Sequence, residues 1–152
     1  MNIVVWLTEG TWHACVDAVA GQSGDVTLLY VIDDAPGSGI QGLLGRGAPP
    51  SSVGHEPQDA AAALLATASR RLGDRRCRTS IVYGRPERAV VAACEGADLL
   101  ILARDGDHSR LGPASLGPDT RFVVDHAPCR VLLVWPDDPP GLETIPPAPR
   151  HP

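Results

Sequence analysis

Residues 78–106, "RTSIVYGRPERAVVAACEGADLLILARDG", decide the fold. "RTSIVYG" reads as a strand, rich in β-branched and aromatic residues and ended by Gly84. "PERAVVAACEG" reads as a helix. Pro86 opens it, where a missing N–H costs nothing, and Gly96 follows its end. "ADLLILA" is a strand again, as an unbroken apolar run rather than an alternating one. Such runs belong to strands covered on both faces, so the unit is a parallel β-α-β.

The same alternation extends in both directions. Upstream, Ile3 to Leu7 is a strand, "TWHACVDAVAG" (11–21) a helix, "DVTLLYVID" (25–33) a strand and "PQDAAAALLATASRRLG" (57–73) a helix. The last has Pro57 in its first turn, Arg70 and Arg71 in its last, and Gly73 as its stop. Downstream, "PDTRFVVDHA" (118–127) is a short helix and "CRVLLVW" (129–135) a fifth strand. The expected architecture is α/β: an open, doubly wound, Rossmann-like parallel sheet of five strands with helices on both faces. Right-handed crossovers then place a ligand at the carboxyl ends of the strands, where strand order reverses. The loops that reach this point are "TEGT" (8–11), residues 33–56 and residues 103–120.

Residues 1–136 form one α/β domain in this reading, since 152 residues suffice for one core and not for two comfortable ones. Residues 33–56 are rich in Gly, Pro and Ser and read as a flexible flap or a functional loop, in which Ile40, Leu43 and Leu44 could dock a short turn. Residues 137–152 are proline-crowded and read as an extended or disordered tail.

Net charge is −5, which gives no electrostatic basis for binding nucleic acid or an anionic membrane surface. No apolar run approaches the ~18 residues of a membrane span, and "MNIVVWLTEG" lacks the flank of a signal peptide. A cytoplasmic protein is expected. Cys15, Cys77, Cys94 and Cys129 are widely spaced without a C-x-x-C pair, which favours reduced thiols over a disulfide framework or a zinc site. The chain has no lysine, so neither a Schiff base nor a P-loop lysine is available. No hydrolase or metalloprotease motif is present, and His13, His55 and His126 have no catalytic partner set by spacing. No catalytic residue and no metal ligand is expected.

Two blocks resemble the universal stress protein family. They are "GRPERAVVAACEGADLLILARDG" (84–106) and "LGPDTRFVVDHAPCRVLLVW" (116–135), the second being close to the family's "HAPCPVLVV" ending. The resemblance implies a homodimer paired through the last strand, here Val131, Leu132, Leu133 and Val134. It also implies a site for ATP or another adenine nucleotide, built on Gly-x2-Gly-x9-Gly-[Ser/Thr] after the fourth strand. Glycines of that motif let backbone N–H groups approach phosphates, and the final Gly-Ser opens a helix whose N-terminus favours anions.

This chain departs from the motif. Ala103 stands at the first glycine, Gly106 fits the second, ten residues instead of nine precede Gly117, and Pro118 replaces the hydroxyl residue. Pro118 also lacks the N–H that would meet a phosphate. Asp119 behind it satisfies the helix's positive end and repels a triphosphate. Nucleotide-binding relatives end the first strand with an aspartate, and Thr8 stands there instead, beside Glu9. Thr8 or Thr11 could cap the first helix. Val31 matches the position whose backbone faces adenine. Arg104, Arg110 and His108 in the loop, with Thr120 at the helix start, could hold an anion. Asp105 and Asp107 could instead pair with the arginines. The expectation is a non-catalytic regulatory or stress-response domain whose nucleotide site (Thr8, Val31, Ala103, Arg104, Gly106, Arg110, Gly117 and Thr120) is degenerate. The alternative is an adenine-nucleotide-binding protein using the altered loop. A third reading is a weak nucleotide hydrolase.

Overall fold

The computed structural model describes residues 1–34 and 56–150. Most of the 33–56 segment, with Ile40, Leu43, Leu44 and His55, therefore lies outside the described residues.

The elements in chain order are β1 (Asn2–Trp6), α1 (Trp12–Ala18), β2 (Asp25–Asp33), α2 (Glu56–Arg71), β3 (Cys77–Gly84), α3 (Pro86–Ala93), β4 (Leu99–Ala103), α4 (Pro118–His126) and β5 (Arg130–Val134). The five strands form one parallel sheet in the order β3-β2-β1-β4-β5. The α/β class, the doubly wound sheet and the helices on both faces are all present.

The unbroken apolar runs are explained by what covers the sheet. Ile3, Val5 and Leu7 of the first strand and its end face one way, where Cys15, Val16 and Val19 from α1 and beyond and Leu65 and Ala68 from α2 pack on them. Val4 and Trp6 face the other way, onto Val90 and Cys94 at α3 and Val123 of α4. Successive side chains on a strand point to opposite faces, so burial on both demands apolar residues at every position. All five residues of β4 are buried for this reason. Each buried Leu, Ile or Val contributes roughly 1.5–3 kcal/mol of burial free energy, which fixes the strands and hence their carboxyl ends.

Three 3-10 turns lie between or beyond these elements among the described residues, the first, Val19–Gly21, directly after α1. The second, Pro113–Ser115, sits inside the glycine loop, and the third, Leu142–Thr144, in the C-terminal segment. That segment is otherwise without regular structure as far as Arg150. It touches the domain where the Thr144 hydroxyl accepts the Leu111 N–H at 2.9 Å.

Candidate functional site

β1 and β4 are neighbours, and the chain winds outward from them in opposite directions: β1 to β2 to β3 on one side, β4 to β5 on the other. The crevice of an open α/β sheet lies at this reversal, beyond the carboxyl ends. Thr8 follows β1 there, and residues 104–117 leave β4 there.

Thr8 makes the turn into α1. Its carbonyl accepts the Trp12 N–H at 3.1 Å, while its hydroxyl bonds that of Thr11 at 2.8 Å. Neither hydroxyl caps the helix, although Thr11 occupies the N-cap position. The two side chains satisfy each other instead.

The glycine loop is closed upon itself. The Gly106 N–H donates to the Ser115 carbonyl at 2.9 Å, and the Asp107 N–H to the Ala114 carbonyl at 2.8 Å. The backbone approach is close enough that a Cβ on Gly106 would lie 2.3 Å from the Ala114 oxygen and 2.9 Å from the Ser115 carbonyl carbon. Glycine is required at 106 by this internal packing. The N–H groups that a phosphate cradle would present are donating to the chain itself.

Arg104 fills the space beside this turn. Its Nη1 donates to the Ser115 hydroxyl at 2.5 Å, and its guanidinium lies 4.6 Å from the centre of the Trp135 ring. Ser115 is fully buried, and its hydroxyl donates on to the Gly112 carbonyl at 2.8 Å. His108 bonds the Arg104 carbonyl through Nε2 at 2.8 Å and meets the Trp135 ring edge-on at 5.9 Å. On the α1 side, His13 Nε2 bonds the Pro136 carbonyl at 3.2 Å. Residues from after β1, β4 and β5 are thereby joined across the sheet's carboxyl edge. The Arg104 Nε is buried with no hydrogen-bond partner among the described residues, so the charge is held mainly by the aromatic face and one hydroxyl.

The start of α4 is occupied in the same manner. Gly117 is its N-cap residue and Pro118 its first helical residue. The Gly117 N–H donates to the Asp105 Oδ1 at 2.8 Å, so the carboxylate of the loop's own aspartate sits where an external anion would sit. Asp119 stands in the first turn. Its carboxyl is held above the ordinary range, first by burial and then by the charges of Glu87, Asp33 and Asp105, with a hydrogen bond to Glu87. Three elements and the loop thus bring carboxylates to one helix N-terminus. A further anion arriving there meets repulsion from them.

The remaining candidates fall as follows. Ala103 is buried at the end of β4 with Val134 beside it in register. Val31 lies on β2, two strands from β4, paired with Val82. Thr120 is buried at 1% exposure. Arg110 is exposed and pairs with Asp107 at 3.7 Å, while the Asp107 carboxyl is held low by hydrogen bonds from Ser109 and by nearby cationic groups. His126 stacks on Phe122 at 4.0 Å and bonds the Phe122 carbonyl through Nδ1 at 2.7 Å, a helix-end arrangement. The structure therefore gathers Ala103, Arg104, Gly106 and Gly117, and turns Arg110 outward. A concavity of about 430 Å³ runs along α4, lined by Leu116, Pro118, Arg121, Phe122, Asp125 and His126; none of these comes from the ends of β1, β2 or β4.

Four residues of the site escape sequence reasoning. Asp33, Glu87 and Ser115 carry no local signal, because their roles come from residues distant in sequence. Trp135 carries one: a lone tryptophan directly after an apolar strand marks the place where that strand's carboxyl end is covered.

Comparison with known proteins fits this geometry. The model of the universal stress protein family matches residues 12–134. No curated protein matches the chain. Among solved structures, the universal stress protein UspA from Lactobacillus plantarum is similar at 22% identity and TM-score 0.60, covering 88% of this chain and 97% of its own. A universal stress protein in complex with cAMP is similar at 19% identity and TM-score 0.63, covering 90% and 98%. A universal stress protein family protein from Arabidopsis thaliana with AMP bound is similar at 15% identity and TM-score 0.56, covering 96% and 95%. At these identities the likeness is one of fold.

Proposed function

The chain belongs to the universal stress protein family, and from that premise we propose that it is a non-catalytic, regulatory member that holds no triphosphate in its glycine loop. One observation carries the reading: the Asp105 carboxylate on the Gly117 N–H, at the helix N-terminus where a phosphate would bind. The Gly106 and Asp107 N–H groups, turned onto the Pro113–Ser115 segment, support it. The role is stress-adaptive, exercised through protein contacts in the cytoplasm, and the protein acts as a homodimer. β5 is the edge strand of the sheet, and Val131, Leu132, Leu133 and Val134 are only half-buried within the chain. An apolar edge of this kind is normally paired or covered.

A second reading has support from the relatives that hold AMP or cAMP. Those ligands bring fewer phosphates toward α4, and Val31 still offers its backbone. Thermal melting with millimolar ATP and magnesium, AMP and cAMP separates the two, because a ligand that binds only the folded protein must raise its Tm. The proposed reading predicts no shift with ATP. A shift with AMP or cAMP alone moves the protein to the second reading, and an ATP shift refutes the first.

A further inference from the structure

The tip of the glycine loop is held by the segment that follows β5. Gly106 and Asp107 bond Ser115 and Ala114, which closes the two arms of the loop and leaves residues 108–113 as its tip. Pro113, where the tip ends, accepts a hydrogen bond from Arg121 Nη2 of α4 at 2.5 Å. The other two contacts come from after β5. At the start of the tip, the His108 ring meets the Trp135 ring edge-on at 5.9 Å. In its middle, the Leu111 N–H donates to the Thr144 hydroxyl at 2.9 Å. Trp135 and Thr144 both lie past residue 134, where the family match ends.

The two ends of this segment are held differently. Near β5, Pro136 is buried and its carbonyl bonds His13 Nε2 at 3.2 Å, while the Trp135 ring lies against the Arg104 guanidinium. At the far end the contact is polar. The Thr144 hydroxyl donates to the Gly141 carbonyl at 2.6 Å and accepts from Leu111, so its donor and an acceptor site are both used. Backbone bonds from the Thr144 N–H to the Gly141 carbonyl and from the Ile145 N–H to the Leu142 carbonyl set the turn that aims it. Leu142 and Ile145 are 78% and 52% exposed, so apolar burial adds little to the hold of this end.

We propose that residues 135–145 are a strap with a latch at Thr144, which keeps the glycine loop closed on its own N–H groups and frees the tip to open when the latch lets go. An anchor packed at one end and a single hydroxyl contact at the other suit a reversible closure. Trp135 and Pro136 stay seated while residues 137–145 lift without uncovering the core. Opening returns the Gly106 and Asp107 N–H groups to the crevice at the carboxyl edge of the sheet, so the strap controls access to that edge.

Amide hydrogen exchange of the full-length protein, read by NMR residue by residue without nucleotide, tests the latch separately from any question of what the loop binds. Thr144→Val keeps the side-chain shape and the backbone bonds of the turn but offers Leu111 no acceptor. Exchange should quicken about three- to tenfold at Leu111, as the loss of one hydrogen bond implies, and by a similar factor at Gly106 and Asp107, with Leu100 and Ile101 of β4 unchanged. Thr144→Ser keeps the hydroxyl and should stay near wild type. Quickening at Leu111 alone, or at none of the three loop amides, overturns the proposal. Equal quickening at Leu100 and Ile101 overturns it too, because it reports loosening of the whole domain and not of the loop.

Discussion

Gly106→Ala separates a glycine kept for packing from one kept for phosphate. A methyl group at 106 would stand 2.3 Å from the Ala114 oxygen and 3.0 Å from the Ser115 oxygen, both backbone atoms with no free rotation. The backbone at 106 is not in the left-handed region, so conformational strain adds nothing and the effect is steric. Relief requires the Pro113–Ser115 turn to move away, which stretches the Gly106 and Asp107 hydrogen bonds and disturbs the buried Ser115. Overpacking of this kind costs about 1–3 kcal/mol. For a chain of this length that lowers Tm by about 2–12 °C. Urea unfolding at pH 7, without any nucleotide, is the assay. A phosphate-cradle glycine would show its cost only in ligand binding. A Gly106→Ala protein within 0.5 kcal/mol of wild type would therefore refute the packing argument.

Two further substitutions probe the same region. Arg104→Ala removes a hydrogen bond to Ser115 and the contact with Trp135, and should cost about 1–2 kcal/mol with a red shift in tryptophan emission as the indole gains water; unchanged emission would contradict the stacking. Asp119→Asn tests the carboxylate cluster. Because the folded-state pKa of Asp119 is raised, its protonated form is favoured by folding, and that stability is present below the unfolded value and lost as pH rises through the folded one. The variant should accordingly gain on wild type as pH rises from about 3 to 7, and a difference that stays flat over this range would exclude Asp119 as a strained acid.

What was legible in the sequence followed from local rules. β2 spans Asp25–Asp33 as its β-branched run indicates, and α4 starts at Pro118 because proline and the following aspartate are first-turn residues. Ala103, the ten-residue spacing before Gly117, and Pro118 are likewise visible in the sequence as departures from the family motif. The manner of closure was not legible. Asp105 reads from sequence as a partner for an arginine, yet it bonds the N–H of Gly117, twelve residues on. Of the two loop aspartates it is Asp107 that pairs with an arginine, Arg110. Ser115, too, is the buried centre joining Arg104 to Gly112, a role no local pattern marks. Such contacts depend on the turn between them, and a single 3-10 turn of Pro-Ala-Ser leaves no periodic trace.

The central claim is that the loop's phosphate-facing N–H groups are already engaged by Asp105 and Ser115. Amide NMR spectra of the protein titrated with magnesium ATP report on those groups individually. The Gly106 and Gly117 amide signals should remain in place to millimolar nucleotide. Saturable movement of either signal would mean that ATP displaces the internal partners, and would contradict the account.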